Sequence, residues 1–223
     1  MVPKYTICMA IPRIFTDSEL ESMRNTCSNA LELAMFEFLR STGCRVSEML
    51  SVLKEDLNLD ENEVYLRKTK AKVKWSKEVG PDGKKRFESI VEPRYAILDE
   101  IAVGAIMRYL KIRIFKPKSR VFLRTSRAVQ NTVKRWAKDA NLRHCEEIHP
   151  HIFRHTAATR MLAQGVPIPF IKQSLGWSKG SVTFEKYYEH TPRDIVRDTI
   201  LNARKSKPKE PVEPRGVEGN EEG

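Results

Sequence analysis

Long apolar runs are missing from this 223-residue chain. No stretch approaches the 18 or so consecutive apolar residues of a membrane-spanning helix. Met1 to Arg13 has no basic segment leading into an apolar core and a small-residue cleavage site, so it does not read as a secretory leader. Cysteine is sparse: Cys8, Cys27, Cys44 and Cys145 are widely spaced and form no CxxC pair. That excludes a disulfide scaffold and points to reduced thiols in a cytoplasmic setting. There is no internal repeat, and no carboxylate cluster of the kind that holds a catalytic metal.

Basic residues are in surplus. The chain has 40 Lys and Arg against 29 Asp and Glu, a formal charge of +11. From Ser206 to Gly223 there are three basic and five acidic residues, which leaves 37 basic against 24 acidic in residues 1–205. A body with a net +13 is a candidate for a polyanion partner. With 40% hydrophobic residues, the chain has enough apolar surface to fold.

Local signals mark the elements. Thr16-Asp17-Ser18-Glu19 is a capping box opening a helix that runs to the Arg24–Cys27 region. A second helix starts at Ala30, carries Leu31, Leu33, Ala34, Phe36 and Leu39, and stops before Gly43. Ser47 to Leu53 reads as a short helix. Val64–Leu66, Ile90–Val91 and Tyr95–Leu98 are β-prone. The basic run between them contains Gly80-Pro81-Asp82-Gly83, which predicts a small antiparallel sheet with a long mobile hairpin loop. Asp99 caps a helix through Leu110, and Val121–Leu123 is a strand or buried turn. Thr125 or Ser126 caps a helix through Ala140. Further helices span His151 to about Gln164, Pro167 to Leu175-Gly176, and Pro192 to about Arg204. The remaining Pro-, Gly- and Glu-rich tail is expected to be disordered. The fold class is α+β: mainly helical with a small antiparallel sheet.

Four separated fragments carry the chemistry: Thr42-Gly43-Cys44-Arg45-Val46-Ser47-Glu48, Lys68-Thr69-Lys70, Pro150-His151-Ile152-Phe153-Arg154-His155, and Leu175-Gly176-Trp177 with Tyr187-Tyr188-Glu189-His190. Arginine's rigid fork suits the nonbridging oxygens of a phosphodiester, whose charge grows during cleavage. A tyrosine hydroxyl becomes a nucleophile when a neighbour accepts its proton. A lysine can protonate a departing 5′ oxygen.

At these residues the chain resembles the tyrosine recombinase/integrase family, over roughly Pro12 to Leu201. The first fragment matches the first arginine box. His-x-x-Arg-His matches the second, Leu-Gly-Trp the Leu-Gly-His/Trp box, and Tyr188-Glu189-His190 the terminal Tyr-x-His. The resemblance implies a site-specific recombinase that cuts and rejoins double-stranded DNA through a 3′-phosphotyrosine, with no cofactor, ATP or metal. Tyr188 would attack, Arg45 and Arg154 clamp the phosphate, and His151 assist proton transfer. Lys68 would be the general acid. Trp177 would donate its indole N–H or pack the site. Glu48 would orient Arg45, His155 would support Arg154, and Lys70, Lys72 and Lys74 would meet backbone phosphates.

Two assignments compete with a neighbour. Lys68 is preferred over Lys70 because the family's lysine commonly precedes Thr or Gly. Tyr188 is preferred over Tyr187 by the Tyr-x-His pattern. Other readings stand beside the functional ones. Trp177 is equally an ordinary core tryptophan. The His151/His155 pair at i,i+4 has metal-ligand spacing, but Arg154 lies between them and no acid does. The expected division is a lead-in of residues 1–15, a catalytic domain of 16–205 and an acidic tail of 206–223.

About a dozen residues precede the pattern, where family members carry a further helical domain. The reading is therefore a catalytic-domain piece, a fragment of a split gene or a minimal enzyme, with weak and strongly salt-dependent DNA binding. The helix from Pro192 resembles the family element that docks into a neighbour. That predicts a tetramer on DNA and weak association without it; the alternative is packing on its own domain. Competing functions are a non-catalytic DNA-binding remnant and a type IB topoisomerase-like activity. The expected location is the cytoplasm of a prokaryote, on the nucleoid.

Overall fold

The computed structural model describes residues 13–67, 72–79, 85–90, 93–112 and 114–177. Seven α-helices and five short strands lie among them. The order is α1 (Asp17–Asn25), α2 (Ala30–Thr42), α3 (Val46–Met49), β1 (Leu57–Asn58), β2 (Glu63–Leu66), β3 (Lys72–Val79), β4 (Lys85–Ile90), β5 (Arg94–Ile97), α4 (Glu100–Leu110), α5 (Ser126–Asp139), α6 (His151–Ala163) and α7 (Ile168–Leu175). The mainly helical α+β architecture expected from the sequence is the one observed. No described helix is long and apolar enough to cross a membrane.

The helix boundaries follow local chemistry. Thr16 accepts from the Glu19 amide at 3.2 Å while the Glu19 carboxylate accepts from the Thr16 amide at 2.9 Å, closing the capping box. Asn29, Asp99 and Thr125 each accept from the amide three residues on. Gly43 ends α2 at φ +56°. The short helix expected over Ser47–Leu53 is shorter still, ending at Met49. Beyond it Leu53 bridges to Arg120, and the Val121 amide donates to the Val52 carbonyl at 3.0 Å.

α2 is the central helix. It packs on α4 and α6, and its Phe36 ring meets Phe153 at 5.4 Å and Trp136 at 5.5 Å, both edge to face. Phe15 is buried against Phe153, and its amide donates to Thr156 Oγ1 at 2.9 Å. Charge is buried there too. Glu37, fully buried, accepts from Arg24 and Arg40, and Arg40 Nη2 also donates to both oxygens of Asp99 at 2.7 Å. A smaller cluster of Ala157, Ala158, Ile171 and Leu175 joins α6 to α7, with Trp177 packed on it.

The sheet differs from the expectation in one respect. β1, β2 and β5 form an antiparallel three-stranded sheet, but β3 and β4 pair separately as a two-stranded ribbon. Much of the stretch expected as a loop is therefore strand. High charge hid an alternation, Lys72-Val73-Lys74-Trp75, that has the strand period of two. The register sets Trp75 opposite Phe87.

Candidate active site

Two turns and one helix start build the site. The first turn follows α2. Gly43 has no side chain because none fits: a Cβ there would lie 2.7 Å from Ala157 Cβ and 2.9 Å from Leu175 Cδ2. The close approach brings the first arginine box against α6 and α7. The second turn follows α7, where Gly176 reverses the chain at φ +63°. The third element is α6, opening at His151.

Arg154 is 1% exposed. Its Nη1 donates to the Gly43 carbonyl at 3.2 Å, and its Nη2 donates to the Leu175 carbonyl. The guanidinium thus joins both turns, and it lies over the Trp177 ring at 4.8 Å from the centroid. Arg45 heads α3. Its Nη1 donates to Glu48 Oε1 at 2.7 Å, its own amide donates to Glu48 Oε2 at 2.8 Å, and its Nη2 lies 3.5 Å from the Gly176 carbonyl. Glu48 is fully buried and also accepts from Arg94 Nη2 at 2.7 Å.

Two guanidiniums, Arg45 and Arg94, therefore share one carboxylate, with the Arg154 guanidinium close enough to feel its charge, a surplus of positive charge. It shows in the titration of the neighbours. Burial first, then Arg45, pull Arg154 down to about 9 against the opposing pull of Glu48. His151 keeps more than a third of its surface, yet the packing around its ring, followed by Arg154, His155 and Arg45, lowers it to about 4. His155, whose ring centroid is 5.6 Å away, is lowered by burial and then by Arg154 and His149. At neutral pH both imidazoles are uncharged proton acceptors beside cationic arginines. An excess of positive charge of this kind suits an oxyanion such as a phosphodiester. Cys44 is buried beside it and pushed up to about 12, chiefly by burial and then by Glu48, which makes it an inert thiol.

Of the residues singled out in the sequence, the structure brings Arg45, Glu48, Arg154 and Trp177 into one contact network, with His151 and His155 on the same helix as Arg154. Lys72 and Lys74 lie on β3. Lys68, Lys70, Tyr187, Tyr188, His190, the helix from Pro192 and the acidic tail lie outside the described residues.

The sequence reading passed over two features. Arg94 is one, tied to Glu48. The other is the exposed face of α5, where Arg127, Gln130, Asn131, Lys134 and Lys138 form one polar stripe opposite buried Val129, Val133, Trp136 and Ala137. Its signal was legible as the helical spacing of those five residues.

Residues 13–193 match the phage integrase family. The chain belongs to that family. The integrase match covers both arginine boxes, the Leu-Gly-Trp turn and Tyr188. A curated relative, the tyrosine recombinase XerC of Staphylococcus saprophyticus, is 28% identical over 214 residues, covering 90% of this chain and 64% of its own length. The chain thus spans less than two thirds of that relative. The integrase fold recurs in the crystal structure of XerA recombinase, with a TM-score of 0.63 and 23% identity over 92% of this chain and 68% of that one. It recurs again in the Tn1549 transposon integrase, solved with circular intermediate DNA, with a TM-score of 0.61 and 18% identity over 87% of this chain and 68% of that one.

Proposed function

We propose that the chain is the catalytic part of a site-specific DNA recombinase, which cuts and rejoins DNA strands through a 3′-phosphotyrosine and uses no ATP or metal. The observation that carries this reading is the Arg45–Glu48–Arg154–Trp177 network built on buried Glu48 and Arg154, with two anchored guanidiniums beside a neutral histidine. Family membership and the tyrosine recombinase named among its relatives support it.

The chemistry follows from the charges. Arg45 and Arg154 hold the nonbridging oxygens of the scissile phosphate and stabilise the charge that builds on them. The Tyr188 oxygen bonds to phosphorus as the bond to the 5′ oxygen breaks. The phenol proton passes to a neutral acceptor, the role of His151, and Lys68 supplies a proton to the leaving 5′ oxygen. Rejoining reverses each step with the 5′ hydroxyl as nucleophile. Glu48 and His155 orient the two arginine-bearing segments.

DNA is the partner the surface suits. The +13 of residues 1–205 and the Arg/Gln/Asn/Lys face of α5 offer phosphate contacts and base-edge donors on one molecule. Lys70, Lys72 and Lys74 are the candidates for further backbone-phosphate contacts, and the segment from Pro192 is the candidate for the tetramer contact on DNA.

The test is a nicked suicide duplex, taken from genomic fragments selected by binding and incubated in EDTA. A covalent, SDS-stable adduct is expected with the wild type and none with Tyr188→Phe. An adduct that survives Tyr188→Phe but disappears in Tyr187→Phe transfers the role to Tyr187. No adduct on any bound duplex refutes the catalytic reading.

A further inference from the structure

Arg94 is the first residue of β5 and only 8% exposed. Its side chain reaches three segments of the site. Nη2 donates to Glu48 Oε2 at 2.7 Å, and Nη1 donates to the Ser174 carbonyl in the last turn of α7. Its inner edge fills the space beside Gly176, where a Cβ would lie 2.7 Å from Arg94 Nε and 3.1 Å from Cδ. In the sheet, Arg94 stands opposite Leu66, the last residue of β2.

We propose that Arg94 is a positioning residue for strand cleavage, holding Glu48, and through it Arg45, in register with the Leu175–Trp177 turn. This rests on the recombinase reading above. The physical reason is the sharing of one buried carboxylate. Glu48 is fully buried with two charged oxygens, so a single guanidinium beside it is drawn onto both. With Arg94 occupying Oε2, Arg45 is bound through Nη1 alone at Oε1, and its remaining edge is left for phosphate. Without Arg94, Glu48 Oε2 keeps only the Arg45 amide as a donor, and the Arg45 guanidinium is drawn toward that under-neutralised oxygen and away from the substrate. Arg94 also offsets the Glu48 charge, so the field of Arg45 and Arg154 acts undiminished on the scissile group.

The experiment compares single-turnover adduct formation with duplex affinity, measured by fluorescence anisotropy, on the nicked suicide duplex. In Arg94→Met the rate is expected to fall at least about 30-fold while affinity stays within about threefold. Arg94→Lys keeps the charge without the fork, and its rate is expected to fall about three- to tenfold. Arg40→Met removes a comparable ion pair from Glu37, outside this network, and is expected to keep the wild-type rate. Should Arg94→Met not fold, Arg94→Lys decides, and its wild-type rate would overturn the positioning role. So would an undiminished rate in Arg94→Met, parallel losses of rate and affinity, or an equal loss in Arg40→Met. A wild-type protein that forms no adduct refutes the recombinase reading itself, an outcome distinct from an active wild type with active Arg94 variants.

Discussion

The Arg154 guanidinium lies over the indole of Trp177, 4.8 Å from the ring centroid, while its Nη1 and Nη2 are anchored on the carbonyls of Gly43 and Leu175. The aromatic face and the two carbonyls fix the plane of the charge. One residue thereby reports whether the first arginine box and the Leu-Gly-Trp turn are in place.

The stacking predicts which property of Trp177 matters. Trp177→Phe keeps a ring face and loses the indole N–H, and adduct formation is expected to stay within about threefold of wild type. Trp177→Ala loses a contact worth about 0.5–2 kcal/mol and is expected to slow the step roughly tenfold. Rates on the suicide duplex check this. A large loss in Trp177→Phe would show that the N–H, not the face, is used.

His151 predicts a pH dependence. Its folded pKa, about 4, lies below the ordinary value of 6.5, so the folded state resists protonation more than the unfolded chain. The contribution to stability is complete above pH 6.5 and is lost as pH falls through about 4. The melting temperature should fall across that window, and less steeply in His151→Gln. His155 is lowered too and acts in the same direction. NMR titration should place His151 near 4 in the free protein and higher with DNA bound, because phosphate offsets Arg154 and Arg45.

Gly43→Ala is expected to destabilise by about 1–3 kcal/mol, since the residue sits at φ +56° and its Cβ would collide with Ala157 and Leu175. Urea denaturation measures it. The adduct rate should fall as well, because the Gly43 carbonyl anchors Arg154.

The α5 face predicts salt behaviour. If Arg127 and Lys134 each neutralise one phosphate, the double change to Ala lowers the slope of log affinity against log salt by about 1.8, at about 0.9 per contact. Fluorescence anisotropy between low and moderate salt reads this slope. An unchanged slope would remove the face from the DNA contact.

Some parts of the fold were legible because their causes are local. The Thr16 capping box, the Asp99 and Thr125 caps and the Gly43 stop depend on residues within one turn of each other. The ribbon of β3 and β4 was missed because lysines obscured a period-two pattern, and its pairing needs a partner strand. Arg94 was missed for a stronger reason. Along β5 the buried positions are Arg94 and Ala96, while Tyr95 and Ile97 are 62% and 59% exposed, the reverse of what hydrophobicity suggests. The inversion makes sense only once Glu48 is known to be buried on that side and in need of a second cation.

By itself, the sequence determined most of the described helices and their caps, the basic surplus and the order of the arginine boxes, because capping, periodicity and charge are written over short spans. Only the tertiary structure decided that Arg154 reaches the Gly43 carbonyl 111 residues away, and that one buried carboxylate is shared by Arg45 and Arg94. Those contacts are set by core packing and by the cost of leaving a buried charge unpaired. No spacing along the chain records either.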